Sequence, residues 1–212
     1  MYNKLQYISQ GNTVQEQLQN IQLALENGCT WIQLRFKNGN DLDFTVLSEK
    51  IKLLCESYKA TFIINDRVDV ALKIASDGVH LGLDDMRIKV ARALLGNAKI
   101  IGATANTFSA IQNHIQNGCD YIGLGPFQFT KTKDNLSPIL GLDGYRSIRA
   151  QLKAANIEIP IYAIGGITLE NVDSLLETGI YGIAVSAIIT QSNQKHKLIT
   201  QLNEKLYGNG IV

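Results

Sequence analysis

ENGCTWIQL at positions 26–34 reads as the end of a helix turning into a strand. Gly28 stands where a helix commonly ends on a residue in the left-handed conformation. Trp31-Ile32-Gln33-Leu34 then supplies aromatic and β-branched residues suited to a strand. The same layout returns as QNGCDYIGL at 116–124 and ETGIYGIAV at 177–185, with Gly118 and Gly179 in the place of Gly28. A unit repeating as helix end, glycine and strand predicts right-handed βαβ crossovers and a parallel sheet.

On either side of these repeats, short β-branched runs mark strands at 5–9, 31–35, 61–65, 78–82, 99–104, 121–125, 160–164 and 182–186. Between them, 13–27, 41–58, 107–117 and 169–177 carry helical spacing; Val14, Leu18, Ile21 and Leu25 form one apolar stripe. Eight units predict an α/β fold, a single-domain (β/α)8 TIM barrel over residues 1–212, somewhat shorter than the typical length of about 250 residues. An open doubly wound sheet fits less well, because no GxGxxG follows the first strand.

Basic and acidic residues nearly cancel, at 20 against 19, which disfavours nucleic acid or an anionic membrane as the main partner. No apolar run approaches the roughly 18 residues of a membrane span, and residues 1–10 lack a signal-peptide pattern. Cys29, Cys55 and Cys119 are scattered and form no CxxC pair, so buried free thiols of a cytoplasmic protein are expected.

A barrel of this kind carries its active site at the C-terminal ends of its strands. In the run Trp31 to Lys37, alternation puts Gln33, Arg35 and Lys37 on one face and leaves Ile32, Leu34 and Phe36 to meet the helices. Two cations at a barrel mouth call for an anion, and a diphosphate suits the Arg fork and the Lys point charge. The third candidate strand runs into Asn65-Asp66-Arg67 and the fourth into Asp84-Asp85. Asn65 suits a helix N-cap as well as a ligand, and the acidic pair suits the start of a helix as well as a metal. Taken together, Asp66 and Asp85 are hard-oxygen candidates for Mg²⁺. His80 reads as a satisfied interior residue, and His114 and His196 as surface positions on helices. The loop from Phe127 to Gly141 is long; its Thr130, Thr132 and Lys133 are candidate phosphate ligands. Gly165-Gly166 and Val185-Ser186 follow the seventh and eighth strands, where barrels often bind phosphate through backbone N–H groups.

With those residues assembled, the chain resembles the thiamine phosphate synthase family. The likeness rests on QLRFK (33–37), INDRVDVAL (64–72), DGVHLGLDDM (77–86), DYIGLGPF (120–127), TKTK (130–133) and AIGGIT (163–168), each at a different strand end. The resemblance implies a transferase of thiamine biosynthesis. It would join hydroxymethylpyrimidine diphosphate to a thiazole phosphate and release pyrophosphate in a dissociative, Mg²⁺-assisted substitution. It assigns Gln33, Arg35, Lys37 and Asn65 to the pyrimidine diphosphate, Asp66 and Asp85 to Mg²⁺, and Thr104 to the neighbourhood of the reacting methylene. Thr130, Thr132, Gly166, Val185 and Ser186 would hold the thiazole phosphate, and Lys133 would reach the diphosphate. Arg35, Lys37, Thr104 and Lys133 are the catalytic candidates. Leu83, Thr104, Asn106 and Phe129 depart from the commoner family residues. A thiazole tautomerase of the same fold and a non-catalytic thiamine-phosphate sensor are the alternatives, and a homo-oligomer is left open.

Overall fold

The structure is a computed structural model that describes residues 2–130 and 136–208. Its strands are β1 (Leu5–Ile8), β2 (Trp31–Leu34), β3 (Thr61–Asn65), β4 (Gly78–Leu81), β5 (Ile100–Ala105), β6 (Tyr121–Leu124), β7 (Ile161–Ile164) and β8 (Gly182–Val185). All pair in parallel and in sequence order, and β8 returns to β1 to close the barrel. The predicted (β/α)8 architecture is therefore observed.

The helices form because local chemistry starts and stops them. Thr13 and Glu16 make a capping box at the start of α1 (Val14–Glu26), with the Glu16 N–H donating to Thr13 Oγ1 at 3.2 Å. Asn40 accepts from the Asp43 N–H at 2.8 Å to begin α2 (Asp41–Ser57). The outer ring continues with α3 (Val68–Ile74), α4 (Ile88–Leu95), α5 (Phe108–Gln116), which Thr107 caps, α6 (Gly141–Ala154) and α7 (Val172–Glu177). The four-residue α8 (Ala187–Thr190) and α9 (Lys195–Tyr207) complete it. Gly28, Gly118 and Gly179 lie at φ of 102°, 90° and 84°, the positive values the repeated sequence layout requires.

Alternation along each strand divides the core in two. Outward residues such as Ile32, Leu34, Ile64, Val79 and Ile183 join the helices in one continuous apolar shell. Inward, Trp31, Ile63, Tyr121, Tyr162 and Ala184 form a separate cluster inside the barrel. Its rings meet edge to face, with Trp31 at 5.2 Å from both Tyr121 and Tyr162. This aromatic plug leaves the C-terminal half of the barrel for polar groups.

Strand spacing depends on small residues at inward positions. A Cβ on Gly78 would collide with the Ile100 carbonyl oxygen of the strand paired with it. Gly78→Ala is therefore expected to lower stability by about 3 kcal/mol, the upper range for overpacking, because backbone must move to admit the methyl. Urea unfolding checks this, and an unchanged midpoint would contradict it.

Candidate active site

The C-terminal mouth opens into a cavity of about 360 Å³. Every described site residue expected from the sequence lines it: Gln33, Arg35, Lys37, Asn65, Asp66, Asp85 and Thr104 on one side, and Thr130, Gly166, Val185 and Ser186 on the other. Thr132 and Lys133 lie outside the described residues.

The charged side is built by β2, β3 and β4. β2 ends at Leu34, so Arg35 and Lys37 belong to the following turn and not to the strand, as the alternation implied. The alternation survives nevertheless, since Phe36 joins the apolar shell while Arg35 and Lys37 line the cavity. The turn is tied down from behind. Ser9 Oγ accepts from the Arg35 N–H at 2.9 Å, and Gln17 Nε2 donates to the Arg35 carbonyl at 3.1 Å. Gln17, buried on the stripe of α1, is a supporting residue that apolar periodicity does not reveal.

The helix-cap readings of Asn65 and of Asp84-Asp85 do not hold. Asn65 is the last residue of β3, and α3 begins at Val68 after Arg67 with no side-chain cap. α4 begins at Ile88 with no acidic residue in its first turn. Asp66 takes a φ of 65°, a conformation that costs a residue with a side chain about 1 kcal/mol or more. Its N–H donates to the His80 carbonyl at 2.9 Å, which locks the turn and turns the carboxylate towards the mouth. There Asp66 forms an ion pair with Lys37 and a side-chain hydrogen bond with Asp85. Asp85 Oδ2 also accepts from the Gly82 N–H at 2.6 Å.

Two carboxyls this close cannot both ionise freely. Burial, and then the hydrogen bond with Asp85, push the Asp66 carboxyl up to about 6, against the pull of Lys37. Burial also presses Asp85 upward, yet the hydrogen bonds from Asp66 and Gly82 outweigh it and hold Asp85 below the usual carboxylate range. Ionising both carboxyls at once is therefore opposed, and a bound cation would relieve that opposition. Among the described residues no group of three or more His, Cys, Asp or Glu side chains converges as a metal cage. Two hard carboxylates fit Mg²⁺, which commonly takes one or two carboxylates and keeps waters and phosphate oxygens for the rest of its shell.

The neutral side is built from β6, β7 and β8. Gly165 and Gly166 have φ of 86° and 71°, and a Cβ on Gly166 would lie 2.8 Å from the Phe129 carbonyl oxygen. The glycine pair therefore packs against the loop after β6 while exposing backbone to the cavity. Asn106 Nδ2 donates to the Gly125 and Pro138 carbonyls at 2.9 and 2.8 Å, fastening both ends of that loop. The Ser186 hydroxyl donates to the Ile8 carbonyl at 2.6 Å, and no side chain caps the start of α8. Leu83, which lines the cavity, and Phe129 are both exposed.

The histidines depart from expectation in part. His80 is buried and hydrogen-bonded as expected, but it also lines the cavity. His114 is half-buried, with Nε2 3.0 Å from the Thr104 carbonyl, and burial lowers its pKa; only His196 is exposed. Cys29 and Cys55 are buried free thiols, whereas Cys119 is only partly so. Among the described residues no helix is long and apolar enough to cross a membrane.

A closed barrel with a carboxylate-bearing, cationic cavity at its C-terminal mouth defines the class: a (β/α)8-barrel enzyme. Over residues 5–189 the chain matches the family model described as thiamine monophosphate synthase, and it belongs to that family. It is 64% identical over 212 residues to a thiamine-phosphate synthase of Flavobacterium johnsoniae, covering 100% of both chains. It is 62% identical to that of Flavobacterium psychrophilum, covering 97% of this chain and 100% of the relative. Among solved structures, thiamine phosphate pyrophosphorylase from Pyrococcus furiosus superposes with a TM-score of 0.82 at 32% identity, over 96% of this chain and 95% of that one. A 3-hexulose-6-phosphate synthase, at 13% identity and a TM-score of 0.72 over 96% and 100% of the two chains, shares the fold alone.

Proposed function

We propose that this chain joins hydroxymethylpyrimidine diphosphate to a thiazole phosphate, forming thiamine phosphate and releasing pyrophosphate. The observation that carries the reading is the division of one cavity into a cationic, carboxylate-bearing side and a glycine-lined neutral side. Two phosphorylated molecules held on those sides would meet between them. Family membership supports the same activity.

On the charged side, Arg35 presents a planar fork to the diphosphate, and Asn65 a carboxamide. Lys37 gives a second cation once its ion pair with Asp66 is relaxed. Mg²⁺, held by Asp66 and Asp85, would screen the negative charge that develops on the departing diphosphate. Thr104 stands at the boundary between the two sides, and Lys133 is assigned to the same diphosphate. Thr130, Thr132, Gly166, Val185 and Ser186 would grip the thiazole phosphate, largely through backbone N–H groups. Substitution proceeds by departure of pyrophosphate and attack of the thiazole nitrogen on the pyrimidine cation. The side chains are therefore asked to position two reactants and neutralise charge, with no strong nucleophile required. Three free thiols suit a reducing compartment, and we place the enzyme in the cytoplasm.

A pyrophosphate-release assay tests the reading. Both substrates with Mg²⁺ should give product, and omission of either substrate or of the metal should abolish it. Binding of both substrates without release would favour a sensor, and conversion of the thiazole alone a tautomerase. The two carboxyls add a pH requirement. The proton that Asp66 holds up to about pH 6 competes with the cation, so the Mg²⁺ concentration for half-maximal rate should rise about tenfold on going from pH 7.5 to pH 5. A pH-independent Mg²⁺ requirement would remove Asp66 from the metal site.

A further inference from the structure

Along the floor of the cavity, a line of hydrogen bonds crosses the barrel interior from one proposed ligand to another, and only its middle member, Tyr121, lies outside the lining. Gln33 Nε2 donates to Gln6 Oε1 at 3.1 Å, and Gln6 Nε2 donates to the Tyr121 hydroxyl at 3.2 Å. The Tyr121 hydroxyl lies 3.0 Å from His80 Nδ1, and His80 Nε2 lies 3.0 Å from Thr104 Oγ1. Gln6, Gln33, Tyr121 and His80 are all buried. Two strand glycines make room for the rings: a Cβ on Gly102 would collide with the Tyr121 ring, and one on Gly123 would come within 3.0 Å of His80 Cε1. Glycine inside a strand weakens it, so the barrel gives up packing to seat this chain of groups.

We propose that Gln6, Tyr121 and His80 are positioning residues that fix which end of this chain accepts and which end donates. The inference rests on the function proposed above and extends it. A phenol oxygen that accepts from Gln6 has one proton to give, and His80 Nδ1 is the group it faces. The imidazole proton then sits on Nε2 and is donated to Thr104. The Thr104 oxygen is an acceptor inside the chain, and its own O–H is turned to the cavity as a donor. At the other end one Gln33 N–H is given to Gln6 and the side chain also donates to the Tyr121 oxygen, so both amide hydrogens are spent within the chain and the Gln33 carbonyl oxygen is the group left for the ligand. The cavity therefore offers an acceptor at Gln33 to an amino group on a heteroaromatic ring. At Thr104 it offers a donor to the oxygen that leaves with the diphosphate. Both choices are set together, because reversing one reverses every bond between them.

Two measurements decide it. Nitrogen-15 NMR of histidine-labelled wild-type protein should show His80 protonated on Nε2; protonation on Nδ1 would mean the opposite direction and overturn the proposal. Tyr121→Phe keeps the ring packing, lies outside the cavity lining and removes only the hydroxyl in the middle of the chain. In the variant, shown folded by circular dichroism, kcat should fall about tenfold, the effect of one mis-set buried hydrogen bond. The KM of the thiazole phosphate should stay within about twofold, as expected for a site not coupled to the chain. The preference for the aminopyrimidine diphosphate over an analogue with a carbonyl in place of the amino group should also relax, which loss of packing alone would not cause. Unchanged kcat and unchanged amino-over-carbonyl preference would overturn the proposal. If wild-type protein releases no pyrophosphate, the functional reading fails, while the NMR result still judges the hydrogen-bond chain.

Discussion

Replacing Asp66 with asparagine is expected to lower turnover by at least about two orders of magnitude, the scale of losing one preorganised contact to developing transition-state charge. The geometry makes this residue hard to replace. Its φ of 65° is tolerated by Asp and Asn and by few others, so Asp66→Asn keeps the turn while removing the charge. Asp66→Ala should lose at least as much activity and some stability as well, since alanine gains nothing from the left-handed conformation. The asparagine variant therefore isolates the chemistry. Its loss should be greatest in kcat, because charge on the departing diphosphate grows along the reaction. Lys37, freed of its carboxylate partner, cannot compensate, as it supplies a single point charge from an exposed stem. A rate near that of wild type in saturating Mg²⁺ would show that the Asp66–Asp85 pair is not the metal site.

Much of this arrangement is legible in the sequence because it repeats a local rule. β-branched runs, apolar helical stripes and glycines at helix ends are short-range signals, and they place all eight strands within a residue or so of where they lie. The polar strand ends are equally plain, since an outward apolar residue and an inward polar one alternate even past the end of β2. What local pattern cannot show is which of two uses a polar residue serves. Asn65 and Asp85 read equally well as helix starters, and only the starts of α3 at Val68 and α4 at Ile88 remove that use. Gln17 looks like a flaw in an apolar stripe until its bond to the Arg35 carbonyl, 18 residues away in sequence, is seen. The same holds for His80, whose partners Tyr121 and Thr104 come from two other strands. Gly102 and Gly123 are a local signal of that contact, since each interrupts a strand at an inward position and so marks a close approach of something large.

The second large effect should separate the two sides of the cavity. Gly166→Val places a β-branched side chain at φ of 71°, where such residues are outliers, and sets its Cβ 2.8 Å from the Phe129 carbonyl and 2.9 Å from Gln128 Cβ. Both contacts belong to the loop that walls the neutral side, so relief must come by moving that loop or the Gly165-Gly166 turn away from an anion. A displacement that forfeits two charge-assisted backbone hydrogen bonds amounts to about 3 kcal/mol, or roughly a hundredfold in binding. The KM of the thiazole phosphate should therefore rise about a hundredfold, while that of the pyrimidine diphosphate stays nearly constant because Arg35, Asn65 and Asp66 are fixed by β2, β3 and their turns. Arg35→Ala should give the mirror image, raising the KM of the diphosphate alone. Initial-rate kinetics with each substrate varied in turn distinguish these outcomes. If both variants raised both constants equally, the two anions would share one subsite, and the cavity would be a single phosphate pocket with no division between its sides.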